Sequence, residues 1–381
     1  MDVERLRAAF EENFASRGEL GASVCVWQDG REVISLAGGW RDRHESQPWT
    51  EDTLVLVWSA TKGPATACVL HAMEARGLDL TTRVAEVWPE FSAAGKAEIT
   101  FAQALSHSAG LPVLDGEVSV FDHAAVAAAI AAQAPHWVPG TVHGYAPRLF
   151  GFFLDEVVRR LAGVTLGDYW QTHFAEPLGL DFWIGLPPAL HGRVASIFPS
   201  KAAPPKGDRF YTAFATPGSF IIRAFASPAG LNSVAAMNTP EARAASLPGF
   251  GGIGTARALA KFYAMLANDG TLDGRVYFQP RTLAWMNTTL AQGDDRVLLM
   301  DTAFAAGFQR DPVLPSGEKM RSLFGPSLRA FGHPGAGGSQ AFADPEHRIA
   351  FAYVMNQMEP GVMPRPKALS LVDALFCEGD F

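Results

Sequence analysis

Cysteine is scarce in this chain. Three cysteines (Cys25, Cys68 and Cys377) are spread over 381 residues, their number is odd, and no Cys-x-x-Cys pair occurs. That disfavours both a disulfide framework and a structural zinc site. The ten histidines form no His-Glu-x-x-His run. Metal-centred chemistry therefore has no support, and neither a metal nor any other cofactor is expected. Positive charge is short as well, since 31 Lys and Arg face 39 Asp and Glu for a formal net charge of −8. Such a chain offers nucleic acid no electrostatic footprint. Long apolar runs are also missing, with none near the ~18 residues of a spanning helix. The opening MDVERLRAAFEENF has no apolar leader core. A soluble, cytoplasmic protein with no membrane or nucleic-acid partner is expected.

What is present is a large apolar share, 48% hydrophobic against 18% charged. That is enough to bury a sizeable core. Glycine (37) and proline (26) are both abundant, which implies many turns and long ordered loops, where binding and catalytic groups usually sit. The length suggests two lobes rather than one.

Along the chain, Val3, Leu6, Phe10 and Phe14 stand at helical spacing. SVCVW then runs through Asp29-Gly30 into EVISLAGGW, a hairpin signal of type I′. A strand-like TLVLVW follows from Thr53. A helix is expected from Ser59 or Ala60 to Arg76, closed by Gly77. Thr100 reads as a helix cap, and Ala124–Ala134 and Leu149–Leu161 read as two further helices. Residues 186–254 show poor periodicity, Leu259–Leu266 resumes a helix, and GSQAFAD and RIAFAYVMN form a second antiparallel hairpin. Ala368–Phe376 closes the chain as a helix. The pattern predicts an α+β fold in which both chain ends build one antiparallel sheet. Residues 1–58 and 255–381 would form that discontinuous sheet domain, with 59–254 inserted as a mostly helical domain and the site between them.

Ser59-Ala60-Thr61-Lys62 fits Ser-x-x-Lys. A serine at the start of a helix places a lysine one turn on beside its hydroxyl, and burial lowers an ammonium pKa towards that of a base. The helix N-terminus adds N–H groups for a developing oxyanion. Ser316-Gly317-Glu318-Lys319 matches the same pattern, so four residues alone are not diagnostic. Context separates them, because Ser316 lies in a Pro-Ser-Gly turn where Gly317 discourages a helix.

Two later segments extend the pattern. Trp137-Val-Pro-Gly-Thr-Val-His-Gly-Tyr145 sets a tyrosine on a loop just before a helix, and Phe331-Gly-His333-Pro-Gly335-Ala336-Gly-Gly338 leads into a strand. The ordered set Ser-x-x-Lys, Tyr, His-x-Gly resembles the serine hydrolases related to class C β-lactamases and penicillin-binding proteins, and among these the family VIII carboxylesterases. LSHSAGLP, PLGLDFWIGLP and GGIGTARALAKFYAMLANDG carry the similarity over most of the chain. The resemblance implies a β-lactamase/transpeptidase-like fold with Ser59 as the acylated nucleophile. It implies Lys62 and Tyr145 as base and acid, with Lys⁺ favouring a Tyr145 phenolate. It also implies an oxyanion hole from the backbone N–H groups of Ser59 and Ala336, the latter on a strand edge, and places His333 and Gly335 at the substrate.

His333-Pro-Gly stands where β-lactamases have Lys-Thr-Gly, and Tyr145-Ala-Pro lacks the amide of their Tyr-x-Asn. Loss of a cation and an amide favours small, short-acyl esters over anionic β-lactams. A β-lactamase or D-amino-acid peptidase on the same fold stays open, as does an inactive ligand-binding relative. The oligomeric state and the choice between Lys62 and Tyr145 as base also stay open. His107 reads as a structural hydrogen-bonder, and Trp58, Trp137, Trp170 and Trp183 read mostly as core.

Overall fold

The computed structural model describes residues 2–376, so Cys377 lies outside the described residues. Asp29 and Gly30 take φ values of 49° and 72°, the paired positive angles that a type I′ hairpin turn demands. They join the first two strands of an eight-stranded antiparallel sheet. Its spatial order is β2 (Arg31–Gly39), β1 (Gly21–Gln28), β11 (Ile349–Met355), β10 (Gln340–Asp344), β9 (Phe331–Pro334), β8 (Gln309–Arg310), β7 (Asp301–Phe304) and β6 (Ala291–Asp294). The chain ends meet in register, with Ala22 opposite Met355 and Gln28 opposite Ile349.

β10 and β11 are buried along their whole length, and β1 is buried from Gly21 to Val26. Strands covered on both faces behave in this way. Helix α8 (Ala256–Ala267) packs on β1, β10 and β11, while α1 (Val3–Ser16) packs against α9 (Pro366–Leu375). A buried polar knot ties the two ends together. Lys367 Nζ lies 3.1 Å from Glu19 Oε1 and donates to Gln357 O at 3.0 Å, Tyr353 donates to Glu19, and Asn13 Nδ2 donates to Lys367 O at 3.1 Å.

The middle of the chain supplies helices α2 (Lys62–Ala75), α3 (Phe101–Leu105, capped by Thr100), α4 (His123–Ala132) and α5 (Leu149–Ala162). Gly163 ends α5 at φ 75°, the left-handed close that glycine favours. Among the described residues, no helix is long and apolar enough to cross a membrane.

Two elements differ from the sequence expectation. Of TLVLVW only β3 (Val55–Leu56) enters a ladder, pairing with β5 (Gly252–Gly254), which also pairs with β4 (Phe182–Ile184). The aperiodic stretch 186–254 contains four short α-helices, besides a 3₁₀ turn at Pro188–Arg193. Two of these are α6 (Arg209–Phe214) and α7 (Phe220–Ala226); the others are Val234–Met237 and Pro240–Ala244. At four to seven residues they are too short for a 3.6-residue period to show. Their N-caps Asp208, Ser219, Ser233 and Thr239 were the legible signal.

Candidate active site

The helix expected from Ser59 begins as a 3₁₀ turn, Trp58–Thr61, and becomes α-helical only at Lys62. Ser59 therefore does not cap the helix with its side chain. Trp58 sits at φ 50°, a costly left-handed conformation for a bulky aromatic residue, and this strain adjoins the serine. β5 holds the turn from one side, because Val57 N donates to Gly252 O (2.9 Å) and Gly252 N donates to Thr61 Oγ1 (2.8 Å). Thr61 in turn donates to the Trp58 carbonyl. Gly335 lets the end of β9 reach the same turn, since a Cβ there would lie 2.2 Å from Val57 O.

Within this frame Ser59 Oγ has two polar neighbours. Lys62 Nζ stands 3.3 Å away, and the Tyr145 hydroxyl donates to Oγ at 2.8 Å. Lys62 is fully buried, and no acidic side chain pairs with it among the described residues. Its amine instead donates to Pro147 O at 2.7 Å and Gly249 O at 2.6 Å. Burial alone holds its pKa well below the ordinary ammonium range. A neutral amine has two N–H groups, and both are engaged by carbonyls. The lone pair is left facing Ser59 Oγ, so the seryl proton has an acceptor.

Tyr145 is the converse case. Burial raises its pKa, and the hydrogen bond to Ser59 lowers it only in part. Both shifts favour the neutral forms, an amine at Lys62 and a phenol at Tyr145, over a Lys⁺-stabilised phenolate. The Tyr145 ring stacks on Phe304, with centroids 6.0 Å apart and planes at 6°, and packs edge-on to His107 at 5.1 Å. His107 Nδ1 accepts from Ala146 N at 3.3 Å, in line with its reading as a structural hydrogen-bonder.

His333 is buried on β9, with its ring centroid 5.8 Å from that of Tyr145. Nδ1 donates to Pro334 O at 2.8 Å, which leaves Nε2 as an acceptor. Burial pushes its pKa down to about 3, an effect to which Lys62 adds when protonated, so it is neutral and supplies no cation. Ala336 opens a 3₁₀ turn, Ala336–Gly338, beyond β9 rather than lying on a strand edge. Gly337 and Gly338, at φ 83° and 123°, make that turn. The backbone N–H groups of Ser59 and Ala336 donate to no carbonyl among the described residues.

The second Ser-x-x-Lys is taken apart by the fold. Ser316 is exposed on a turn, while Lys319 pairs with Asp311 at 2.8 Å and donates to Gly325 O and Ser327 O. No group of three His, Cys, Asp or Glu among the described residues is placed to hold a metal ion.

Two residues at the site carried no sequence signal. Arg148 is buried and donates to Asn232 Oδ1 (2.8 Å), Phe225 O (3.3 Å) and Gly230 O (2.5 Å), tying the Tyr145 segment to α7 and the loop after it. Asp295, in the turn between β6 and β7, accepts from Tyr145 N at 3.1 Å through Oδ1 and 3.2 Å through Oδ2. A lone arginine or aspartate in a loop looks like solvated surface until its partners, 77 and 150 residues away, are folded beside it.

A model of the family described as Beta-lactamase matches residues 6–375 of this chain. The esterase/beta-lactamase LipL of Mycobacterium tuberculosis is 33% identical over 366 residues, covering 92% of this chain and 80% of that protein. Among solved structures, a penicillin-binding protein homologue from Caulobacter crescentus superposes with a TM-score of 0.86 at 36% identity, over 98% of this chain and 96% of its own. A family VIII carboxylesterase gives a TM-score of 0.86 at 35% identity, over 97% of this chain and 96% of its own.

Proposed function

We infer that this chain, which belongs to the Beta-lactamase family, is a serine hydrolase of small, short-acyl carboxylic esters acting through an acyl-enzyme on Ser59. One observation carries the reading. Buried Lys62 donates to Pro147 O and Gly249 O and stands 3.3 Å from Ser59 Oγ, to which Tyr145 donates from another side, so the neutral amine that burial favours turns its lone pair to Oγ.

In the first half-reaction Lys62 Nζ takes the Ser59 proton and Oγ bonds to the ester carbonyl carbon. The carbonyl electron pair moves onto oxygen, where the N–H groups of Ser59 and Ala336 receive it. The C–O bond to the alcohol then breaks, and the departing alkoxide takes the Tyr145 proton. The proton held by Lys62 restores the phenol. Water repeats the sequence on the acyl-enzyme, so ester and water give acid and alcohol.

The case for neutral esters is electrostatic. His333 is neutral, and Arg148 is committed to backbone and amide oxygens, so neither presents a free cation to a substrate carboxylate. Gly335 belongs to this reading as the residue that brings β9 against the serine turn, with His333 beside the substrate. We place the site between a sheet domain of residues 1–58 and 255–381 and a helical domain of 59–254. Buried, free Cys25 and Cys68 are in keeping with a cytoplasmic setting. The test compares kcat/KM on a p-nitrophenyl short-chain ester and a chromogenic cephalosporin. The ester is expected to be preferred; preference for the lactam would move the assignment to a β-lactamase or peptidase on the same fold.

A further inference from the structure

We propose that Asp295 is a positioning residue that sets Tyr145 in place to protonate the leaving alcohol, an inference that rests on the reading of Tyr145 as the acid. Its carboxylate is fully buried. Besides the Tyr145 N–H, it accepts from Val297 N at 2.8 Å, Leu298 N at 2.9 Å and Thr302 Oγ1 at 3.1 Å. Every one of these partners is a donor, so the group acts as an acceptor throughout. The His143 ring extends the network. Its Nε2 lies 2.8 Å from Thr302 Oγ1 and 3.9 Å from Asp295 Oδ2. Because the Thr302 hydroxyl gives its single proton to Asp295, it accepts from His143. Arg296 N completes the clamp by donating to His143 O at 3.1 Å.

Residues 143–145 are thus fastened to 295–302 at three points: one carbonyl, one amide and one ring. The clamp ends on the backbone amide of the residue whose hydroxyl lies 2.8 Å from Ser59 Oγ. Gly144 permits the close approach, since a Cβ there would meet Trp137 at 2.6 Å and Arg296 Cβ at 3.2 Å. A buried carboxylate in this position fixes the loop more firmly than an amide could, because its charge strengthens the backbone N–H bonds and an Asn NH₂ would make the Thr302 hydroxyl turn from donor to acceptor and give up its bond from His143.

The test exploits the leaving group. Protonation matters greatly for a poor alkoxide leaving group and little for p-nitrophenolate. Tyr145→Phe, Asp295→Asn and Thr302→Val are compared with the unmodified protein on an alkyl ester and on the p-nitrophenyl ester of the same acid. Tyr145→Phe should lose about 10²-fold or more in kcat/KM on the alkyl ester and far less on the aryl ester. Asp295→Asn should show the same bias, with an alkyl loss approaching about 10²-fold, the scale of a misplaced catalytic group. The double variant should lose no more than Tyr145→Phe alone. Equal losses on the two esters, or no loss, would overturn the role of Asp295. If Asp295→Asn does not fold, Thr302→Val removes one donor to the carboxylate and carries the test; an unchanged alkyl-to-aryl ratio there would overturn it equally. An unbiased Tyr145→Phe would instead overturn the acid role of Tyr145.

Discussion

The amine of Lys62 donates at 2.6 Å to the carbonyl of Gly249, a residue 187 positions further along the chain. This contact and its twin to Pro147 orient the amine, while burial lowers its pKa. In the neutral form that burial favours, two N–H groups go to the carbonyls and the lone pair is left beside Ser59 Oγ.

The pH profile follows from that state. Lys62 must be neutral to take the seryl proton, so kcat/KM should fall as acid protonates it. Because burial lowers its pKa, that limb should lie well below the ~10.5 of an ordinary lysine. Tyr145 must be a phenol, and burial raises its pKa, so no loss is expected through mildly alkaline pH. A pH–rate series on the short-chain ester checks both limbs. An acid limb near the ordinary lysine value would contradict the neutral amine.

Replacing the lysine with a fixed cation should be as damaging as removing it. Lys62→Arg keeps donors for Pro147 O and Gly249 O but cannot accept a proton, since a guanidinium stays charged. Ester hydrolysis should drop by at least about 10²-fold, the scale of a lost general base. Retained activity would move the base elsewhere.

Ser59→Ala should abolish hydrolysis with an unchanged far-UV circular dichroism spectrum, whereas Ser316→Ala should leave kcat/KM unaltered. The second serine is exposed, and its lysine is tied to Asp311. Measured side by side on one ester, the two variants separate a motif from its chance repeat.

Gly335→Val tests packing at the site. The backbone there has φ −105°, which any residue adopts, so the cost is steric: the first added carbon would lie 2.2 Å from Val57 O. A loss of about 1–3 kcal/mol in urea unfolding is expected, together with a fall in activity on all esters alike, because the serine turn and β9 are pushed apart.

Away from the site, Lys367→Met should destabilise the protein by about 3–5 kcal/mol, the cost of leaving a buried charge unpaired. Its partner Glu19 is buried with it and pairs with no other cation among the described residues. Urea denaturation reads the loss, and KM on the ester should be unchanged.

Much of this was legible in the sequence because it depends on local pattern. Asp29-Gly30, Gly163 and Thr100 marked turn, stop and cap through backbone needs that only certain residues meet. Ser59 and Lys62 lie one turn apart and reveal themselves by spacing. Tyr145 was visible only as a member of an ordered set. What stayed hidden was set by long-range contact. The 3₁₀ start of α2 arises where β5 and Thr61 hold the serine turn, and the φ of Trp58 has no compositional signature. Asp295 and its neighbour Asp294 are alike in sequence, yet Asp294 pairs with Arg209 on an exposed surface while Asp295 is enclosed by four donors. The orientation of the Lys62 amine was likewise set by two carbonyls from distant segments.

Ser59 Oγ is the atom that the proposed mechanism acylates. Treating the protein with a serine-directed phosphonate and mapping the adduct by peptide mass spectrometry tests this most directly. A single adduct on the peptide bearing Ser59, with activity lost in parallel, is the expected result. An adduct on Ser316 or any other residue, or full inhibition with Ser59 unmodified, would contradict it.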